Sequence, residues 1–160
     1  FELPTNNQIK TFSRGMRMKA ALTIALSHDA KLLILDEATA GMDVSGREHV
    51  LEILEDYLGD DRAILISSHI SEDIEQLATQ LVFMRDGRII LKESKEVLLS
   101  HYGIIDQPVE HFNISNEYLI ATRRRNDRQI SLVNNYQKVP DAQPLKTIDD
   151  ATKIIMRGEL

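Results

Sequence analysis

The chain has 160 residues, 42% hydrophobic and 28% charged, a size and balance that suit one globular domain with an appendage and exclude wholesale disorder. A formal net charge of -6 argues against a protein that grips nucleic acid by broad phosphate neutralisation. Cysteine is absent, which excludes disulfides, thiolate metal sites and a cysteine nucleophile, and permits a reducing compartment.

The apolar runs, such as Leu32 to Leu35, are too short to cross a bilayer. Phe1-Glu2-Leu3-Pro4 has no signal-peptide character and no initiator methionine, so the chain is expected to begin inside a longer protein. Residues 1 to 11 read as a loop. Ser13 then precedes a run of helix formers, and a helix is expected over 14 to 27 with Ser13 as its N-cap. Leu32-Leu33-Ile34-Leu35 follows, a continuous apolar run of the kind found in a parallel strand buried on both faces.

A second helix is expected over 44 to 58, with Val50, Leu51, Ile53, Leu54 and Leu58 as its apolar face. A second buried-type strand follows at Ala63 to Ile66, and a short helix at 72 to 78. Leu81 to Met84 and Arg88 to Leu91 form a hairpin around Asp86-Gly87, a two-residue turn signal. A helix over 95 to 101 closes this part. The alternation predicts an α/β fold with a largely parallel sheet and an antiparallel hairpin at one edge. Beyond Gly103 two strands are expected, 118 to 124 and 129 to 133. A proline-containing linker over 139 to 144 then precedes a helix opened by Thr147, with Ile148, Ala151, Ile154 and Ile155 on one face.

Asp36 and Glu37 end the first apolar strand, at the carboxyl edge where open α/β sheets bind ligands. One carboxylate there suits Mg²⁺ and the other can take a proton from water. The same pair also describes a strand that simply ends in an acidic turn. Ser13-Arg14-Gly15-Met16 opens a helix, a natural anion site that glycine leaves accessible to a phosphate, although an ordinary capped helix looks the same. Ala40-Gly41-Met42-Asp43 is a turn before a helix, with Asp43 at its N-cap. Ser67-Ser68-His69 ends the next apolar strand and brings a histidine to the same expected edge as Asp36 and Glu37.

In this order, these segments resemble the ATP-binding cassette (ABC) family over residues 1 to about 101. Phe12 to Met16 resembles the signature motif, Leu32 to Glu37 the Walker B strand with its catalytic glutamate, Ala40 to Asp43 the D-loop, and Ser68-His69 the H-loop. The Asp86-Gly87-Arg88-Ile89 hairpin also matches. The resemblance implies a P-loop NTPase fold of the ABC type, of which this is the downstream half. Residues 1–103 would belong to the ATPase domain and 104–160 to a small α+β C-terminal extension.

It implies further that Glu37 polarises the attacking water, His69 contacts the γ-phosphate and Asp36 positions Mg²⁺. Ser13 and Gly15 would touch ATP bound to a second cassette, with Asp43 coupling the two sites. The expected cofactors are ATP and Mg²⁺. The expected partners are a transmembrane permease and a second ATPase cassette, identical or not, with no nucleic acid. The expected location is the cytoplasmic face of the cell membrane, in a bacterial exporter-like system.

Two positions depart from the family pattern. Arg14 stands where the first signature glycine is usual, and Met16 where glutamine is. No Gly-x-x-x-x-Gly-Lys-Ser/Thr occurs, and the similar glycine spacing at Gly41 and Gly46 is followed by Arg47-Glu48, which lacks the lysine and hydroxyl that hold phosphate and metal. The phosphate-binding loop is expected upstream of residue 1 or missing, and the chain alone is expected to be inactive. The alternatives are a non-transport ABC ATPase acting on ribosomes or DNA, and an inactive or regulatory fragment. Arg123-Arg124-Arg125 reads as a solvated strand face, the remaining histidines lack metal spacing, and the methionines read as packing.

Overall fold

The computed structural model describes residue 1 and residues 3–158, which fall into two compact units that divide between Leu77 and Ala78.

In the first unit, α1 (Arg14–Leu26) begins at Ser13, whose hydroxyl accepts the Met16 N–H at 3.2 Å and satisfies one unpaired amide of the first turn. Strand β1 (Leu32–Asp36) runs parallel to β2 (Ala63–Ser67), with Leu32 opposite Ala63 and Asp36 opposite Ser67. Between them lies α2 (Val44–Tyr57), and α3 (Ser71–Leu77) follows β2. Leu22 of α1, Ala38, and Val50 and Leu54 of α2 form the core, against which Leu35, Ile64 and Ile66 pack. Tyr57, rather than Leu58, completes the buried stripe of α2, and its hydroxyl donates to the Ala30 carbonyl.

The two strands bury only one face, which corrects the expectation of strands covered on both sides. Leu33 is buried, whereas Ile34 is 71% and Leu65 59% exposed. Alternation puts Leu32, Ile34 and Asp36 on the open face together with Ala63, Leu65 and Ser67. A continuous apolar run is read as doubly buried because parallel sheets usually carry helices on both faces. The helices of this unit cover one.

The second unit opens with β3 (Gln80–Arg85) and β4 (Arg88–Ser94), joined by Asp86 and Gly87, both at positive φ as a tight hairpin requires. Among the described residues this hairpin forms its own two-stranded sheet.

After α4 (Lys95–His101) comes β5 (Gly103–Pro108), a strand that sequence pattern did not mark. It pairs antiparallel with β7 (Arg128–Val133) on one side and with β8 (Gln143–Pro144) on the other, and β6 (Leu119–Arg125) extends the sheet beyond β7. The proline-containing stretch expected as a linker therefore ends in a short edge strand, where proline is tolerated. The last helix, α5 (Ile148–Arg157), starts at Thr147, whose hydroxyl accepts the Asp150 N–H at 3.2 Å. Ile148, Ala151, Ile154 and Ile155 are all buried, and the helix packs against β6 and β7.

Candidate functional site

The parallel register of β1 and β2 puts Asp36 beside Ser67, so the residues after each strand emerge at one edge. Ser67 Oγ donates to Asp36 Oδ1 at 2.5 Å and accepts the Glu37 N–H at 3.2 Å, while that N–H also reaches the Ser67 carbonyl at 3.0 Å. Glu37 turns the chain with a left-handed φ of 51°, a conformation that costs a non-glycine residue about 1–2 kcal/mol. The turn aims its carboxylate at His69, whose Nδ1 lies 2.5 Å from Glu37 Oε2. His69 is exposed and Glu37 half-buried, so the pair faces solvent and is open to a ligand.

Behind the pair lies a buried polar network. Among the described residues Thr39, Asp73 and Ser131 are the buried polar ones, and the first two touch. Asp73 of α3 accepts a hydrogen bond from Thr39 Oγ1 and another from Ser68 Oγ at 3.3 Å, both on Oδ2. Its other oxygen faces Arg47 Nε of α2 at 3.5 Å. Ser68 Oγ in turn accepts the Ile70 N–H at 3.0 Å. Sequence pattern does not mark Asp73, because it stands in the acidic run Glu72-Asp73-Ile74-Glu75, which reads as a solvated face. Its position as the fourth residue after His69, in the first turn of a short helix, is the available signal.

Ser13, Gly15 and Asp43 line a separate cleft of about 230 Å³, together with Arg14, Lys19 and Gly41. Gly15 has ordinary space around it: a Cβ there would lie 3.8 Å from Met42 Cγ. Gly41 has a φ of 78°, and a Cβ on it would meet the Arg14 side chain at 2.8 Å. Asp43 occupies the N-cap position of α2, but its side chain makes no capping hydrogen bond there. Its Oδ1 instead stands where a Cβ on Gly46 would be, 2.6 Å from it. Thus Asp36, Glu37 and His69 are brought together at the sheet edge. Ser13, Gly15 and Asp43 are brought together in a cleft whose lining includes neither Glu37 nor His69.

The donor set bears on metal. Among the described residues no group of three His, Cys, Asp or Glu side chains converges on one point. A single exposed carboxylate, oriented by a serine hydroxyl, fits Mg²⁺, which is commonly held by one or two carboxylates plus substrate phosphates. Among the described residues, no helix is long and apolar enough to cross a membrane.

A mixed α/β chain with paired carboxylates and a histidine at a parallel-strand edge has the architecture of part of a P-loop NTPase, and solved structures share it. An inward-facing metal-chelate type ABC transporter aligns with a TM-score of 0.52 at 15% identity, over 83% of this chain and 52% of that one. A cobalt transport ATP-binding protein aligns with a TM-score of 0.52 at 20% identity, over 80% of this chain and 45% of that one. Residues 2–40 match the ABC transporter family.

The chain is similar to the lantibiotic transport ATP-binding protein SrtF of Streptococcus pyogenes, 41% identical over 116 residues, which are 72% of this chain and 47% of that protein. It is 32% identical to the ABC transporter ATP-binding protein NatA of Bacillus subtilis, over 58% of this chain and 38% of NatA. It is 35% identical to the Nod factor export ATP-binding protein I of Rhizobium johnstonii, over 61% and 32% respectively. The chain belongs to the ABC transporter ATP-binding family, within its nucleotide-binding domain, and spans about half the length of SrtF.

Proposed function

We propose that this chain carries the hydrolytic edge of an ABC transporter ATPase, in which closure of two cassettes around ATP drives a membrane permease. The observation that carries the reading is the 2.5 Å contact between His69 Nδ1 and Glu37 Oε2 at the edge that also presents Asp36. Glu37 would accept a proton from the attacking water. With Nδ1 engaged by Glu37, His69 offers Nε2 to a phosphate oxygen.

Asp36 would hold Mg²⁺, which when bound supplies positive charge against the phosphates. The cleft with Ser13, Gly15 and Asp43 opens at a helix N-terminus, which favours an anion, and would receive the γ-phosphate of ATP held by the second cassette. The lack of a Cβ at Gly15 suits that approach. Residues 1–103 would be the ATPase portion and 104–160 an extension. The assembly would lie on the cytoplasmic face of the membrane without nucleic acid, and relatives whose names specify lantibiotic transport and Nod factor export support an exporter.

The test is Glu37→Gln in the full-length protein. ATP hydrolysis should fall about a hundred- to ten-thousandfold while ATP binding is retained. Undiminished turnover would overturn the role of Glu37. Co-purification with ribosomes or DNA instead of membranes would favour a non-transport ATPase.

A further inference from the structure

We infer that Asp73 is a positioning residue that holds the Glu37–His69 pair in register, an inference that rests on the hydrolytic reading of that pair. The geometry is a bridge. Oδ2 of Asp73 accepts one hydroxyl from Thr39, two residues after Glu37, and another from Ser68, one residue before His69. One buried carboxylate thereby ties together the two loops that carry the pair, and Arg47 Nε at 3.5 Å ties the same carboxylate to α2.

The cost of this arrangement argues for a role. Asp73 is 0% exposed, and a buried carboxylate is expensive unless well partnered. Here its Oδ1 makes no hydrogen bond and is compensated only by the charge of Arg47, whose Nε lies 3.5 Å away. An apolar side chain at this position would fill the same space without that cost, but it could not accept two hydroxyls at once. The carboxylate supplies a geometric constraint on both loops, more than net stability. That constraint matters because Glu37 sits in a left-handed turn that the chain would otherwise relax, and displacement of a reacting group by about 1 Å can cost a hundredfold in rate.

Asp73 touches neither water nor nucleotide in this scheme, so its removal should lower kcat and leave KM for ATP nearly unchanged. Asp73→Leu keeps the size but removes the oxygen that accepts both hydroxyls. In the full-length protein it should cut kcat about ten- to a hundredfold with KM within about twofold. In the chain itself, the ring NMR signals of His69 should move on Asp73→Leu, while those of His101, at the end of α4, stay in place.

Thr39→Val removes only one of the two hydroxyls and guards against loss of folding. It should shift the His69 signals in the same way and lower kcat about three- to tenfold. Unmoved His69 signals in a folded variant, or an unchanged kcat, overturns the positioning role. So does a KM that rises in step with the loss of kcat. Glu37→Gln run in parallel separates the two readings: if it leaves turnover intact, the hydrolytic reading fails, whereas an inactive Glu37→Gln beside a fully active Asp73→Leu refutes the bridge alone.

Discussion

Ser67 Oγ lies 2.5 Å from Asp36 Oδ1, and these two residues face each other as register partners in the only parallel strand pair among the described residues. The same hydroxyl accepts the Glu37 N–H, so one serine orients both acidic residues, the first through its side chain and the second through its backbone. Ser67→Ala should therefore weaken metal use before it weakens folding. We expect the Mg²⁺ concentration for half-maximal ATP hydrolysis by the full-length protein to rise about tenfold, the usual effect of losing a hydrogen bond to a metal ligand. An unchanged Mg²⁺ dependence would remove Asp36 from the metal site.

Gly46 separates stability from function. Alanine in a helix is favoured over glycine by about 1 kcal/mol, but a Cβ here would meet Asp43 Oδ1 at 2.6 Å. Aspartate can rotate away, so Gly46→Ala should leave thermal stability within about 1 kcal/mol of the parent. It should also displace Asp43 and lower ATP turnover in the paired, full-length protein. Thermal unfolding and turnover measured on the same preparation check both halves of this prediction.

At Gly103 the same chemical change meets rigid neighbours. A Cβ would fall 2.4 Å from both the Gln143 carbonyl and the Tyr136 Cβ, where β5 pairs with β8. Neither atom is the end of a flexible side chain. Gly103→Ala should destabilise the second unit by about 1–3 kcal/mol, the usual cost of overpacking, as read from denaturant midpoints.

Tyr102 should shape the alkaline limb of the stability curve. It is 7% exposed and donates to Glu93 Oε2 at 3.4 Å. Burial, and then the negative charge of Glu93, push its phenol above the ordinary value near 10. A raised folded pKa means that the native state holds the proton more tightly than the unfolded chain. Its stabilising contribution is complete below about pH 10 and is lost as pH rises through the folded value. Tyr102→Phe should flatten that loss in denaturation measured between about pH 9 and 11, and an equally steep decline in the variant would refute it.

Nucleotide binding by the 160-residue chain alone gives a further check. It contains no glycine loop ending in lysine and a hydroxyl residue, so titration with Mg-ATP should give no saturable binding below millimolar concentration. Tight binding would reveal a nucleotide site outside the motifs described.

Much of this was legible in the sequence because it is local. Ser13 and Thr147 cap their helices through bonds that span three residues, and the buried face of α5 follows from helical spacing alone. Asp86-Gly87 forms its turn because those two residue types tolerate positive φ. The edge carrying Asp36, Glu37 and His69 was also readable, since two apolar strands ending in polar residues must present them at their carboxyl ends when parallel.

What sequence could not supply depends on contacts between distant segments. Apolar composition makes Ile34 and Leu65 look buried, yet their exposure depends on whether anything covers that face of the sheet. Strand periodicity does not say which sheet β3 and β4 join. Strand β5, bounded by glycine and proline, is a strand because β7 and β8 supply its hydrogen-bond partners. Asp73 reads as one more surface acid until folding brings Thr39 and Ser68, 34 and 5 residues away in sequence, onto a single oxygen. Side-chain chemistry and period are written residue by residue, whereas burial and partnership arise only when segments far apart in the chain meet.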